Sequence, residues 1–139
     1  MVLVDTSVWI DFFQAPESET ANALEPLVKD HNRVTLCGIV LQEVLQGIRN
    51  QNSYELVRER LLKFPFVDAK RETWLLAASL YRDLRALGIT MPPVDVTIAA
   101  IAIQHDLPLF SRDEHFREVA KVSGLRLYAG KTISQDNIV

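Results

Sequence analysis

The sequence predicts an α/β fold with a mainly parallel central sheet flanked by helices, and three observations carry that expectation. Short apolar runs of strand character alternate along the chain with segments of helical spacing. No internal repeat or low-complexity linker interrupts the alternation. A length of 139 residues suits one domain that can bury a core without disulfides or a structural metal. The domain is expected to span residues 1–130, with apolar periodicity lost from Lys131 and residues 131–139 forming a loose tail.

The first element is a strand over Val2 to Val4, an apolar run that ends at Asp5. Ser7 to Phe13 and Glu19 to Asp30 then carry helical spacing. Val34 to Leu36 is the second strand, followed by helices over Ile39 to Arg49 and Tyr54 to Lys63, and Phe66 to Val67 is a short third strand. The helix over Arg71 to Leu87 has two apolar stripes, one through Trp74, Ala77, Ala78, Tyr81 and Leu84 and another through Leu76, Leu80 and Leu87. That surface exceeds one core contact, so the helix either meets a partner or lies deep within its own domain. Gly88 to Pro93 reads as a helix stop and a constrained loop, because Gly suits the position after a helix and two prolines cannot continue one. Val94 to His105 is apolar on nearly all sides and should be central. Leu107 to Phe110, a helix over Glu114 to Val122 and a fifth strand over Leu125 to Tyr128 complete the order, with right-handed crossovers expected.

Composition narrows the class. Hydrophobic residues make up 48% and charged residues 24% of the chain, a globular balance far from that of disordered segments. The single cysteine, Cys37, excludes an intramolecular disulfide and a Cys-rich zinc site, so a cytoplasmic location is expected. The N-terminal run has no basic leader, and apolar runs such as Ile98 to Ile103 are too short to span a bilayer, so neither export nor membrane insertion is predicted. A net charge of −3 argues against a broad electrostatic nucleic-acid binder, although metal bound to a carboxylate cluster would offset part of the deficit locally.

Four acids stand where chemistry tends to occur. Asp5 directly follows a strand, and ligands of open α/β sheets bind beyond the carboxyl ends of strands; its alternative role is to cap the next helix. Glu43 shares a helical stripe with Ile39 and Gly47 and borders a buried face, or else sits at a solvated edge. Gly47 within that helix suggests close packing, since Gly there costs about 1 kcal/mol relative to Ala. Asp95 heads the apolar helix after Met91-Pro92-Pro93, where the helix dipole alone would also favour it. Asp113 lies in Ser111-Arg112-Asp113-Glu114; capping-box spacing assigns Ser111 and Glu114 to the helix start and leaves the Asp113 carboxylate free. Several ionised carboxylates sharing one crevice need a cation or raised pKa values, and oxygen-only ligands suit Mg2+ or Mn2+.

Together, Val-Leu-Val-Asp5-Thr-Ser-Val-Trp-Ile, Glu43-Val-Leu-Gln-Gly47, Asp95-Val-Thr-Ile-Ala-Ala-Ile-Ala and Ser111-Arg-Asp113-Glu-His-Phe116 resemble the motif set of PIN domains, and more narrowly VapC-type toxins of toxin–antitoxin pairs. The likeness spans Val2 to about Phe116. It implies a PIN-like α/β/α sandwich and an RNA endonuclease using one or two Mg2+ or Mn2+ ions. It also implies an acidic site of Asp5, Glu43, Asp95 and Asp113, with Asp5 and Asp95 as chief metal ligands and Thr6 and Ser111 in support. The reaction expected is in-line attack by activated water that leaves a 5′-phosphate and a 3′-hydroxyl. Expected partners are RNA, a VapB-type antitoxin whose C-terminal segment lies in a groove, and a second copy of the chain. Ser7 departs from the Asn common at its position in the family.

Readings from other classes are weaker. His31, His105 and His115 show no motif pairing an acid with a base, which disfavours a histidine-driven ribonuclease. Ser7 occupies the place where a phosphatase with a leading aspartate pair would carry its second Asp. A receiver-like phosphoacceptor would need a Lys beside the acids near the fifth strand, and none stands there. The main non-enzymatic alternative is a PIN-like scaffold that binds RNA or protein without turnover.

Overall fold

The computed structural model describes residues 1–129, apart from the side chain of His31; the expected tail at 131–139 lies outside the described residues. The elements are β1 (Val2–Val4), α1 (Thr6–Gln14), α2 (Glu19–Lys29), a short 3-10 turn (His31–Arg33), β2 (Val34–Cys37), α3 (Gly38–Gln46), α4 (Gln51–Leu61), β3 (Phe66–Val67), α5 (Arg71–Ala86), α6 (Pro93–Gln104), β4 (Leu109–Phe110) and α7 (His115–Val122). Strand order is β3-β2-β1-β4, and every pairing is parallel. The α/β architecture with a parallel sheet therefore stands as expected.

Inward strands of a parallel sheet are covered on both faces, and β1 and β2 meet that demand with unbroken buried runs. Leu3, Leu36 and Leu109 from the sheet join Trp9, Leu24, Leu84, Ile98, Ile101 and Phe116 from the helices in one core. Residues Val96–Ala102 of α6 are all buried, which is why that helix can be apolar on every side. Pro93 opens α6, where a missing N–H costs nothing. Gly88, with φ of 80°, closes α5: its N–H bonds to Arg85 and the N–H of Ile89 reaches back to Leu84.

Four expectations are corrected. The Leu125 to Tyr128 segment makes only one parallel bridge, Leu127 to Leu109, with hydrogen bonds from Leu109 N to Arg126 O and from Tyr128 N to Leu109 O. It is too brief a ladder to form a strand. The helix expected over Ile39 to Arg49 stops at Gln46, and Gly47 ends it; a Cβ at Gly47 would meet only ordinary contacts at 3.7 Å or beyond, so no close packing requires the glycine.

On α5 the buried stripe is Thr73, Ala77, Leu80 and Leu84, which matches neither predicted stripe. Thr73 is fully buried because its hydroxyl is satisfied twice, accepting from Lys70 N and donating to Gln104 Oε1 at the end of α6. Trp74, Leu75 and Leu87 are left 53%, 66% and 59% exposed. The helix is not sandwiched within its domain.

Candidate active site

Asp5 leaves β1 at the carboxyl edge of the sheet, where its N–H bonds to Phe110 O of β4 at 2.8 Å. Its backbone carbonyl starts α1 by accepting from Val8 and Trp9, yet its carboxylate makes no capping hydrogen bond. The side chain is therefore not spent on the helix. Oδ2 accepts instead from Ser111 Oγ at 2.7 Å and from Ser7 Oγ at 3.1 Å. Burial raises the Asp5 pKa, the two hydroxyls and the Thr6 backbone N–H oppose that rise, and the charge of Glu43 adds to it.

Glu43 projects from α3 at half-buried depth, the border position its helical stripe predicts. The Thr6 hydroxyl, in the first turn of α1, donates to Glu43 Oε1 at 2.7 Å. Asp95 occupies the first turn of α6, a place stabilised by the helix dipole. Its pKa is nevertheless pushed up to about 6, first by burial and then by the charges of Asp5, Asp113 and Glu43, with His115 acting the other way. Four acids from four different stretches of chain thus share one electrostatic neighbourhood.

Asp113 behaves differently from the sequence expectation. The Ser111–Glu114 capping box does not form: Glu114 precedes α7 with helical backbone angles and no capping bond, and its carboxylate lies 3.8 Å from Arg117. The Ser111 hydroxyl gives its one proton to Asp5, an ionisable acceptor, and takes the N–H of Asp113. Asp113 Oδ1 then receives the His115 N–H at 2.9 Å and pairs with His115 Nδ1 at 2.7 Å. One oxygen of Asp113 is thereby engaged at the start of α7.

Three residues besides the four acids, Thr6 and Ser111 join the site; a hydroxyl beside Asp5 is what the sequence offers to hold its carboxylate, and Arg112 and His115 carry no such signal. Ser7 holds Asp5 and accepts from Arg112 N at 3.3 Å. The Arg112 guanidinium pairs with Asp11 at 2.7 Å on an exposed rim. His115 has an acidic partner after all, two residues away across a tight turn, a spacing that helix or strand periodicity does not signal.

The donor set is made of carboxylate and hydroxyl oxygens, which suits a hard dication, and the mutual repulsion felt at Asp95 is the kind a cation relieves. Among the described residues no three acid, histidine or cysteine side chains already close around a common point at ligand spacing. The residues fit a divalent ion in chemistry and charge. Cys37, buried at the start of α3, has its thiol pushed up to about 11 chiefly by burial and is no nucleophile at neutral pH.

The family model described as PIN domain matches residues 2–122. Ribonuclease VapC11 of Mycobacterium tuberculosis is 29% identical over 129 residues, covering 91% of this chain and 96% of that protein. Ribonuclease VapC1 of Methanocaldococcus jannaschii is 28% identical over 127 residues, covering 91% and 86%. In the crystal structure of VapBC2 from Rickettsia felis bound to a promoter DNA fragment, the matching chain gives a TM-score of 0.75 at 20% identity, over 92% of this chain and 98% of that one. At that identity the likeness is one of fold.

Proposed function

The chain belongs to the PIN-domain family, and from that premise we propose that it is an endoribonuclease that hydrolyses RNA phosphodiester bonds with Mg2+ or Mn2+, as the toxin of a VapBC-type pair that inhibits translation. The observation that carries this reading is the meeting of acids from distant stretches at one edge of the sheet: Asp5 holds the hydroxyls of Ser7 and Ser111, the neighbouring Thr6 hydroxyl bonds to Glu43, and Asp95 feels the charges of Asp5, Asp113 and Glu43 on top of its burial. The similarity to VapC ribonucleases over nine-tenths of the chain supports the substrate class.

Asp5 and Asp95 would be the chief ligands of the ion, with Glu43 and Asp113 completing the site or orienting water. When bound, a hard dication supplies water activation and neutralises charge developing on the phosphodiester. The chain's own residues prepare that event. Ser111 and Ser7 orient Asp5 and oppose part of the rise in its pKa that burial imposes; Thr6 holds Glu43 towards the same edge of the sheet. Arg112 keeps a cation at the rim, where a phosphate-bearing strand would approach.

A cleft of about 730 Å³, lined by Phe13, Gly47, Ile48, Leu56, Arg49 and Arg60, opens one helical turn beyond Glu43. Its apolar walls and two arginines suit an antitoxin segment that passes towards the acids. The adjacent exposed residues Trp74 and Leu75, in the first turns of α5, suit a homodimer contact. No helix among the described residues is long and apolar enough to cross a membrane. A cytoplasmic site of action is part of the proposal.

The test is RNA cleavage by purified protein with Mg2+ or Mn2+, repeated with chelator and with Asp5→Asn and Asp95→Asn. Cleavage lost in all three controls is expected. Full activity in both variants would defeat the site, and RNA binding by folded protein with no cutting would favour the scaffold.

A further inference from the structure

Ser7 and Ser111 come from opposite ends of the chain, and both hydroxyls donate to the same oxygen, Oδ2 of Asp5. Each hydroxyl also accepts a backbone N–H from the loop after β4: Ser7 from Arg112 and Ser111 from Asp113. A serine hydroxyl has one proton and two lone pairs. An N–H on a lone pair restricts where that proton points, so the loop backbone aims both O–H bonds at Asp5. The terminal torsion of an aspartate is broad and soft when unrestrained. One hydrogen bond leaves the carboxylate free to swing about it; two, from different elements, do not.

We propose that Ser7 is a positioning residue for Asp5, one half of a two-hydroxyl clamp that presents Oδ1, which receives neither hydroxyl, to the divalent ion. The proposal rests on the reading of Asp5 as a ligand. A role for Ser7 as helix cap does not compete with it, because Asp5 holds the cap position of α1 and the Ser7 proton goes to the carboxylate. Partners that orient a ligand in this way commonly account for 10- to 100-fold in metal affinity.

The experiment is Mn2+ titration of the full chain, read by electron paramagnetic resonance without RNA, on the wild type, Ser7→Ala, Ser7→Thr and Asp5→Asn, with melting temperatures alongside. Ser7→Ala is expected to bind Mn2+ about tenfold more weakly while its melting temperature falls by only a few degrees, so that the protein stays folded at the assay temperature. Ser7→Thr, which keeps the hydroxyl, should bind as the wild type does. Wild-type affinity in Ser7→Ala, with binding lost in Asp5→Asn, would overturn the clamp alone. Equal binding by the wild type and Asp5→Asn would overturn the ligand reading and the clamp with it. If Ser7→Ala folds poorly, the isosteric pair Ser7→Thr and Ser7→Val decides: weaker binding in Val supports the clamp, and equal binding overturns it.

Discussion

Thr6 and Glu43, 37 positions apart, meet through a 2.7 Å hydrogen bond in which the threonine hydroxyl donates to the glutamate carboxylate. It joins the first turn of α1 to the middle of α3 across the edge of the sheet. Replacing Thr6 with Val keeps the shape and removes the donor. Stability is expected to fall by about 1–2 kcal/mol, because the bond is to an ionisable and half-buried group. RNA cleavage should fall about tenfold as Glu43 loses its orientation. Urea denaturation and a cleavage time course measure the two effects; unchanged cleavage would remove Glu43 orientation from the account.

Asp95 gives stability a pH dependence of known sign. Its pKa rises on folding from 3.8 to about 6, so the native state holds the proton longer than the unfolded chain does. Stability from this group therefore falls as pH rises through that window. Asp95→Asn should be more stable than the wild type at pH 7 in chelator, by about 1 kcal/mol after allowance for solvent screening at a half-exposed site. The gap should narrow at pH 5. A variant less stable than the wild type at pH 7 would contradict the burial and repulsion that raise the Asp95 pKa.

The same shift governs competition between protons and metal. Below about pH 6 Asp95 is increasingly protonated, and a ligand must lose its proton to bind. Mn2+ affinity measured at pH 7.5 and 5.5 should drop on the acid side, and Asp95→Asn should bind weakly at both values. A wild-type affinity indifferent to pH over this range would rule Asp95 out as a ligand.

Cys37 is expected to resist thiol reagents. With its pKa near 11, about one thiol in a thousand is ionised at pH 8, and burial hides even that fraction. Reaction with a chromogenic disulfide should be negligible in native protein and complete in urea. Rapid native labelling would show that the β2–α3 junction opens.

The exposed Trp74 and Leu75 at the start of α5 predict association under the dimer proposal. Trp74→Asp adds a charge to a surface residue and should leave the monomer fold intact, since the buried stripe of the helix is Thr73, Ala77, Leu80 and Leu84. Sedimentation velocity is expected to show a dimer for the wild type and a monomer for the variant. A wild-type monomer at high concentration would remove the dimer proposal.

What the sequence exposed most clearly were junctions where burial changes abruptly. An apolar triplet ending at Asp5 and a fully apolar helix headed by Asp95 betray their positions because few other environments tolerate such a pattern. Periodicity also found α5, but it describes faces without saying which face docks, and a buried threonine with two distant partners defeats any hydrophobic count. The capping box read at Ser111 failed for a related reason, while the supporting role that the family resemblance implies for Ser111 agrees with its bond to Asp5. Its spacing to Glu114 announces a local cap, while the competing acceptor, Asp5, is 106 residues away. His115 escaped because its pairing depends on a turn geometry that residue types alone do not encode.

The placement of β1 between β2 and β4 has a bearing on biosynthesis. Asp5 is synthesised 105 residues before Phe110, which receives its N–H, and 106 residues before Ser111, which holds its carboxylate. A nascent chain stopped before Leu109 has an open edge on β1 and lacks Asp113 altogether. A chain that cuts RNA as proposed would thus stay harmless to the message and ribosome producing it until the stretch from Leu109 to Asp113 has been added.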